Sequence, residues 1–234
     1  MSRTSTPNAS PLTPNSSRRV DNVWQRMSQE PPWLTIAREV RALAQTGLAF
    51  TTDTFDRQRY QRLQELAAQL MAQGSATEQD AIVRLLREDK GYATPKVDVR
   101  GAAFLENRIL MVRETSDGKW TLPGGWADVN QTAGECVVRE IAEESGFSAK
   151  AVKLAAVYDY QRSNRPSRHM DSIYKLFFIC EITGGVARAS EETSEVAFFA
   201  RGDLPPLSLG RSTAEQIERM FHHREHMTLP TDFD

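Results

Sequence analysis

One segment constrains this chain more than any other: residues 125–147, reading Gly-Trp-Ala-Asp-Val-Asn-Gln-Thr-Ala-Gly-Glu-Cys-Val-Val-Arg-Glu-Ile-Ala-Glu-Glu-Ser-Gly-Phe. Both its ends carry local signals. Thr132 and Glu135 have the Thr-x-x-Glu spacing of a capping box, which predicts a helix from Ala133. Gly146 suits the left-handed residue that follows a helix ending at Ser145. On that helix Val138, Ile141, Ala142 and Ser145 share one side and predict a core-facing stripe. Glu140, Glu143 and Glu144 fall together on the opposite arc, where solvent is expected.

Three carboxylates within one helical turn repel one another. A solvated acidic face tolerates that repulsion. Here, however, the helix follows Pro123-Gly124-Gly125, a loop that delivers free backbone groups to the same end. Clustered hard oxygen ligands are what Mg2+ or Mn2+ requires, and such an ion relieves the repulsion. Arg139, beside the cluster, supplies a fixed positive charge that can orient a carboxylate.

The segment resembles the Nudix box, G-x5-E-x7-R-E-U-x-E-E-x-G-U with U a bulky hydrophobic. The match falls on Gly125, Arg139, Glu140, Ile141, Glu143, Glu144, Gly146 and Phe147; Gln131 stands where the pattern has Glu. The resemblance implies that Glu140, Glu143 and Glu144 hold Mg2+ or Mn2+, that the Gly125 carbonyl completes the site, and that Arg139 is a structural ion-pair partner. Glu140 is either a metal ligand or the general base. Glu191 or Glu192 resembles a further loop Glu that some members use as ligand or base, and Glu192 is taken as the second catalytic candidate. The departure at Gln131 touches an outer metal ligand rather than the core of the site.

The likeness extends beyond the box. Residues 91–101, 120–128, 174–178, 204–208 and 229–234 resemble one bacterial branch of the family, in which a helical N-terminal domain precedes the Nudix fold; residues 33–72 resemble that domain. The branch implies hydrolysis of a small nucleoside diphosphate linked to another moiety, of the CDP-choline, UDP-sugar or ADP-ribose class. It also implies a homodimer formed through the N-terminal helices. The downstream Pro of many ADP-ribose enzymes has no clear match, since Pro166 lies too far along, and this favours CDP- or UDP-linked substrates.

Periodicity gives the rest of the architecture. Trp33, Ile36, Val40 and Leu43 are spaced as one helical face, opened by Pro31-Pro32 and ended by Gly47. A second helix is expected over 56–73, with Tyr60, Leu63, Leu66/Ala67 and Leu70 on one face. A third is expected over 78–89, with Thr77 as N-cap and Ile82, Val83, Leu85 and Leu86 apolar. Strands are expected at 97–100, 108–112, 119–122, 152–160, 173–182 and 196–200, the first two joined at Glu106-Asn107. A last helix begins near Ser212, where Ser212-Thr213-Ala214-Glu215 has capping-box form. The class is therefore α+β: an α/β/α Nudix sandwich with a mixed sheet, preceded by a small all-α domain. The expected division is a disordered Ser/Thr/Pro/Asn-rich tail at 1–22, a helical domain at 23–91 and the Nudix domain at 92–234.

Composition narrows the partners. With 40% hydrophobic and 26% charged residues, the 234-residue chain is of ordinary globular make-up. It has no apolar run long enough for a membrane helix, so no membrane partner is expected. A net charge of −2 disfavours nucleic acid as a partner, and with it an RNA-end-processing alternative. A Nudix-fold binding module without catalysis is opposed by the retained Glu140, Glu143 and Glu144. Cys136 and Cys180 read as reduced thiols of a cytoplasmic protein.

Among weaker features, Arg100, on the alternate face of its strand from Val97 and Val99, is a candidate for binding phosphate. Arg165, in the basic loop of Arg162, Arg168 and His169, is another. Trp126 and Tyr92 offer rings that stack on a base or pack. His222, His223 and His226 have ligand-like spacing, but they close a helix where cations suit the dipole, and that is the reading taken.

Overall fold

A computed structural model describes residues 32–73, 78–162 and 171–234. The tail at 1–22, Thr77, Arg165 and Pro166 lie outside the described residues. Three helices come first: α1 (Pro32–Phe50), α2 (Thr54–Gln73) and α3 (Gln79–Glu88). The N-cap of α3 is Glu78, without a side-chain cap, rather than Thr77. Gly47 does not end α1. It lies inside the helix because the Tyr60 ring packs on it so closely that a Cβ there would be 2.4 Å from a ring carbon.

Helix α1 buries a different face from the one expected, whereas Ala67 of α2 and Ile82 and Leu86 of α3 are buried as expected. Leu34, Ala37 and Ala44 of α1 and Ala67, Ala68 and Met71 of α2 are buried, whereas Ile36 and Leu43 are more than half exposed. Small residues let the helices approach closely, and Ile82 and Leu86 of α3 close that core. The bulkier stripe is left outside.

From Lys96 the chain forms a mixed sheet. Its strands are β1 (Lys96–Leu105), β2 (Arg108–Glu114), β3 (Trp120–Thr121), β4 (Phe147–Asp159), β5 (Ile173–Gly185), β6 (Thr193–Ala200) and β7 (Asp232–Phe233). The order is β3-β2-β1-β5-β4-β7, with β6 also pairing β2. The β1/β5 and β4/β7 pairs are parallel and the others antiparallel. Glu106 and Asn107 both take positive φ, as a two-residue hairpin turn requires.

Helix α4 (Ala133–Ser145) covers one face of this sheet and α5 (Ala214–Glu225) the other. Val137 and Ile141 of α4 pack with Val99, Ala103 and Leu110; Ile217, Met220 and Phe221 of α5 pack with Phe104, Ile109 and Phe177. Each fully buried aliphatic side chain here contributes about 1.5–3 kcal/mol. The α5 capping box lies one residue later than expected, between Thr213 and Gln216. Ser212 is drawn inward instead, its hydroxyl 3.0 Å from that of Thr121.

Arg41 of α1 joins the two regions, with one guanidinium nitrogen 2.8 Å from Asp89 and the other 2.7 Å from Asp171. Among the described residues, no helix is long and apolar enough to cross a membrane.

Candidate active site

Helix α4 forms as its sequence directs. Thr132 and Glu135 complete the capping box, and Gly146 takes the left-handed conformation with φ 77°. The acidic arc, however, is split. Glu143 is exposed, Glu140 is mostly covered and Glu144 is only 6% exposed. Glu144 is therefore not on a solvent face, because the Pro-Gly-Gly loop folds over that side of the helix.

Gly124 makes this possible. Its φ of 143° is a conformation that favours glycine, and a Cβ there would lie 2.0 Å from the Val99 carbonyl oxygen. So placed, its N–H donates to Glu144 Oε2 at 2.9 Å. Beside it, Gly125 lies against the Glu140 carboxylate, where an added Cβ would be 3.2 Å from Oε2. The Gly125 carbonyl already accepts the Val99 N–H at 2.8 Å, which leaves its second lone pair for another partner. From the opposite side, the Thr193 hydroxyl donates to the Glu144 main-chain carbonyl at 2.6 Å, tying α4 to β6.

Arg139 sits at the centre of the exposed side. It reaches Glu143 at 2.6 Å, Asp128 at 2.8 Å, Glu140 at 2.9 Å and the Gln131 side-chain oxygen at 3.2 Å. Gln131 thus keeps a neutral contact to Arg139 where the box pattern would place a charged one.

Glu140, Glu144, Glu114 and Glu192 line a cavity of about 640 Å3, with Gly124, Gly125, Trp126 and Arg100. Burial pushes the Glu144 carboxyl up to about 8, against the lowering effects of the Gly124 N–H and Arg100. Burial likewise raises Glu140 and Glu114, despite Arg139 beside the first and Arg211 beside the second. Several acceptor-only carboxylates held in a desolvated cleft are suited to a hard divalent cation, which favours their ionised forms. The donor set fits Mg2+ or Mn2+.

The other expected residues divide. Arg100 lines the cavity but is buried and gripped in bidentate fashion by Asp98, at 2.9 and 2.6 Å. Trp126 lines the cavity with its ring about half exposed, and Lys96 Nζ stands 5.9 Å from the ring centroid. Glu192 lines it too, on a turn closed by Ser190, whose hydroxyl accepts the Glu192 and Thr193 N–H groups at 3.2 Å. Tyr92 is exposed and does not line the cavity.

Sequence reasoning missed Asp98, Glu114, Tyr160, Lys175 and Arg211, which also line the cavity, with Asp128, Ile173 and Gly210. Asp98 was accessible, since it lies two residues from Arg100 on the same strand face. Lys175 was not. Only the parallel β1/β5 register places it opposite Asp98, and its ammonium is bonded to the carbonyls of Gly210, at 3.1 Å, and Arg211.

A capped helix projecting carboxylates over a glycine loop, on one face of a mixed sheet, defines the architecture of a Nudix domain. The NUDIX domain model matches residues 94–220, and a second model, UDP-X-like N-terminal oligomerisation domain, matches residues 31–86. The chain belongs to the Nudix family, and it is a pyrophosphohydrolase of that family carrying a UDP-X-like N-terminal region. It is 43% identical to YjhB of Bacillus subtilis, provisionally described as an ADP-ribose pyrophosphatase, over 86% of this chain and 97% of that one. A solved UDP-X diphosphatase aligns with a TM-score of 0.56 at 33% identity, over 86% of this chain and 98% of the other. A solved ADP-ribose pyrophosphatase from Streptococcus suis aligns at 0.55 and 40% identity, over 60% of this chain and all of that one.

Proposed function

We propose that this chain hydrolyses the pyrophosphate bond of a nucleoside diphosphate linked to a second moiety, releasing a nucleoside monophosphate and a phosphorylated product. The observation that carries this reading is the Glu144–Gly124 bond, which holds a buried carboxylate beside Glu140 at the floor of a ligand-sized cavity. ADP-ribose and UDP-linked substrates are the leading classes, because the similar proteins carry those names.

Glu140 and Glu144, with the Gly125 carbonyl, would hold the divalent cation, Mg2+ or Mn2+, while Glu143, expected as a third ligand, is exposed and bonded to Arg139 at 2.6 Å and in this reading holds Arg139 in place beside them. When bound, the cation neutralises the pyrophosphate oxygens and lowers the pKa of water. Glu192 or Glu140 takes the proton from the attacking water. Arg100, neutralised in part by Asp98, lends positive character to the cavity wall rather than acting as a mobile clamp, and Trp126 offers its exposed ring to a base. Arg165 remains a proposed phosphate contact.

The chain is proposed to divide at 23–91 and 92–234 and to pair with a second copy through α1 and α2, where Ile36, Leu43, Phe50 and Phe55 are exposed. Two buried free cysteines suit a reducing compartment, the cytoplasm in this reading. The test is a panel of ADP-ribose, UDP-glucose and CDP-choline with product identification, run with Mg2+ and with a chelator. Metal-dependent release of the nucleoside monophosphate supports the reading. No release from any substrate of the class contradicts it.

A further inference from the structure

We propose that the C-terminal turn of α5 carries a transition-metal site formed by His222, Glu225 and His226, separate from the cavity beneath α4. One potential ligand atom from each of the three side chains lies within 4.8 Å of the others, and none of the three lines the cavity. His222 and Glu225 are three residues apart on one face of α5, and His226 follows as the C-cap of that helix.

The turn that presents them is closed, since the His226 N–H donates to the His222 carbonyl at 3.0 Å. The two imidazoles stand 4.5 Å apart between centroids. His226 Nδ1 also lies 3.1 Å from the same carbonyl. A carbonyl only accepts, so this contact calls for the tautomer with its proton on Nδ1, which leaves the Nε2 lone pair for a metal. Metal-binding histidines are characteristically oriented by such a bond from the other ring nitrogen.

The third histidine of the run does not take part. His223 is fully buried, 3.0 Å from Lys153 Nζ through Nδ1 and 3.1 Å from Asp232 through Nε2. Glu225 supplies the third ligand in its place. Two imidazoles and a carboxylate suit Zn2+, Ni2+ or Cu2+ and discriminate against Mg2+. The last carbonyls of the helix favour a cation at this end.

One residue opposes occupancy. Arg201 bonds the Glu225 carboxylate at 2.9 and 3.0 Å and also pairs with Glu218. It competes with a metal for Glu225 and adds repulsion.

The untagged full-length protein, in excess Mg2+ to occupy hard oxygen sites, is titrated with Zn2+ against a chromophoric chelator. Wild type is expected to hold one Zn2+ tightly. His222→Ala and His226→Ala should each abolish it, Glu225→Gln should weaken it several-fold, and Arg201→Gln should strengthen it. Helix content by circular dichroism and Mg2+-supported turnover should stay unchanged in His222→Ala. Three results overturn the site: no Zn2+ equivalent in wild type, full Zn2+ retention in His222→Ala, or loss only in His226→Ala, where a frayed helix end would account for it.

Discussion

The Glu144 carboxylate accepts the backbone N–H of Gly124 at 2.9 Å, and this single bond joins the carboxylate helix to the glycine loop across the floor of the cavity. A Cβ at Gly124 would strike the Val99 carbonyl oxygen at 2.0 Å. Gly124→Ala is therefore expected to displace the loop and lose at least ~1–3 kcal/mol of stability. Turnover should fall with it. Thermal unfolding and turnover measured on the same preparation check both.

Gln131 offers Arg139 a neutral oxygen at 3.2 Å. Gln131→Glu is expected to add an exposed ion pair of ~0.2–1 kcal/mol and to leave turnover unchanged or modestly raised. The measurement is a denaturant midpoint together with kcat. A large loss of kcat would give Gln131 a role of its own.

Asp171 accepts bonds from Arg41 at 2.7 Å and Lys96 at 3.0 Å. Burial pushes its carboxyl up, but the two cations together outweigh burial and hold it below its ordinary value of 3.8. A depressed carboxylate stabilises the fold above its unfolded pKa, and that contribution is lost as pH falls through the folded value. Stability should therefore decline on acidification below about pH 4. Asp171→Asn should be less stable than wild type at neutral pH, and the gap should close in acid. Denaturant melts of both proteins across that range check it.

Ile36 is 54% exposed and Leu43 61% exposed, on the stripe of α1 that the internal packing leaves out. If the proposed homodimer forms through α1, Ile36→Glu combined with Leu43→Glu is expected to halve the solution mass, read by light scattering after size exclusion. An unchanged mass would contradict pairing through this stripe of α1.

Three local signals were faithful, while the Ser212 capping box moved by one residue to Thr213. The capping box at Thr132, the left-handed Gly146 and the Glu106-Asn107 turn all appear where short-range chemistry put them. Faces decided by long-range contacts were not legible. Glu144 is buried because a loop folds over it and because Thr193, far along the chain, bonds its carbonyl. In α1 the bulky stripe suggested the core, yet the small residues Ala37 and Ala44 pack inward because they allow close approach. Gly47 reads as a helix stop until the Tyr60 ring is placed on it. The carboxylates of α4 were readable from spacing and resemblance, whereas Lys175 and Glu114 required the strand register.

The most direct test of the catalytic assignment is turnover of Glu144→Gln at saturating Mg2+ on the best substrate of the panel, with native folding verified by circular dichroism. Removing the ionisable oxygen while keeping side-chain size should lower kcat by ~10²-fold or more, with the product unchanged. Turnover close to wild type would contradict the account, because the buried carboxylate under the glycine loop would then not hold the catalytic cation.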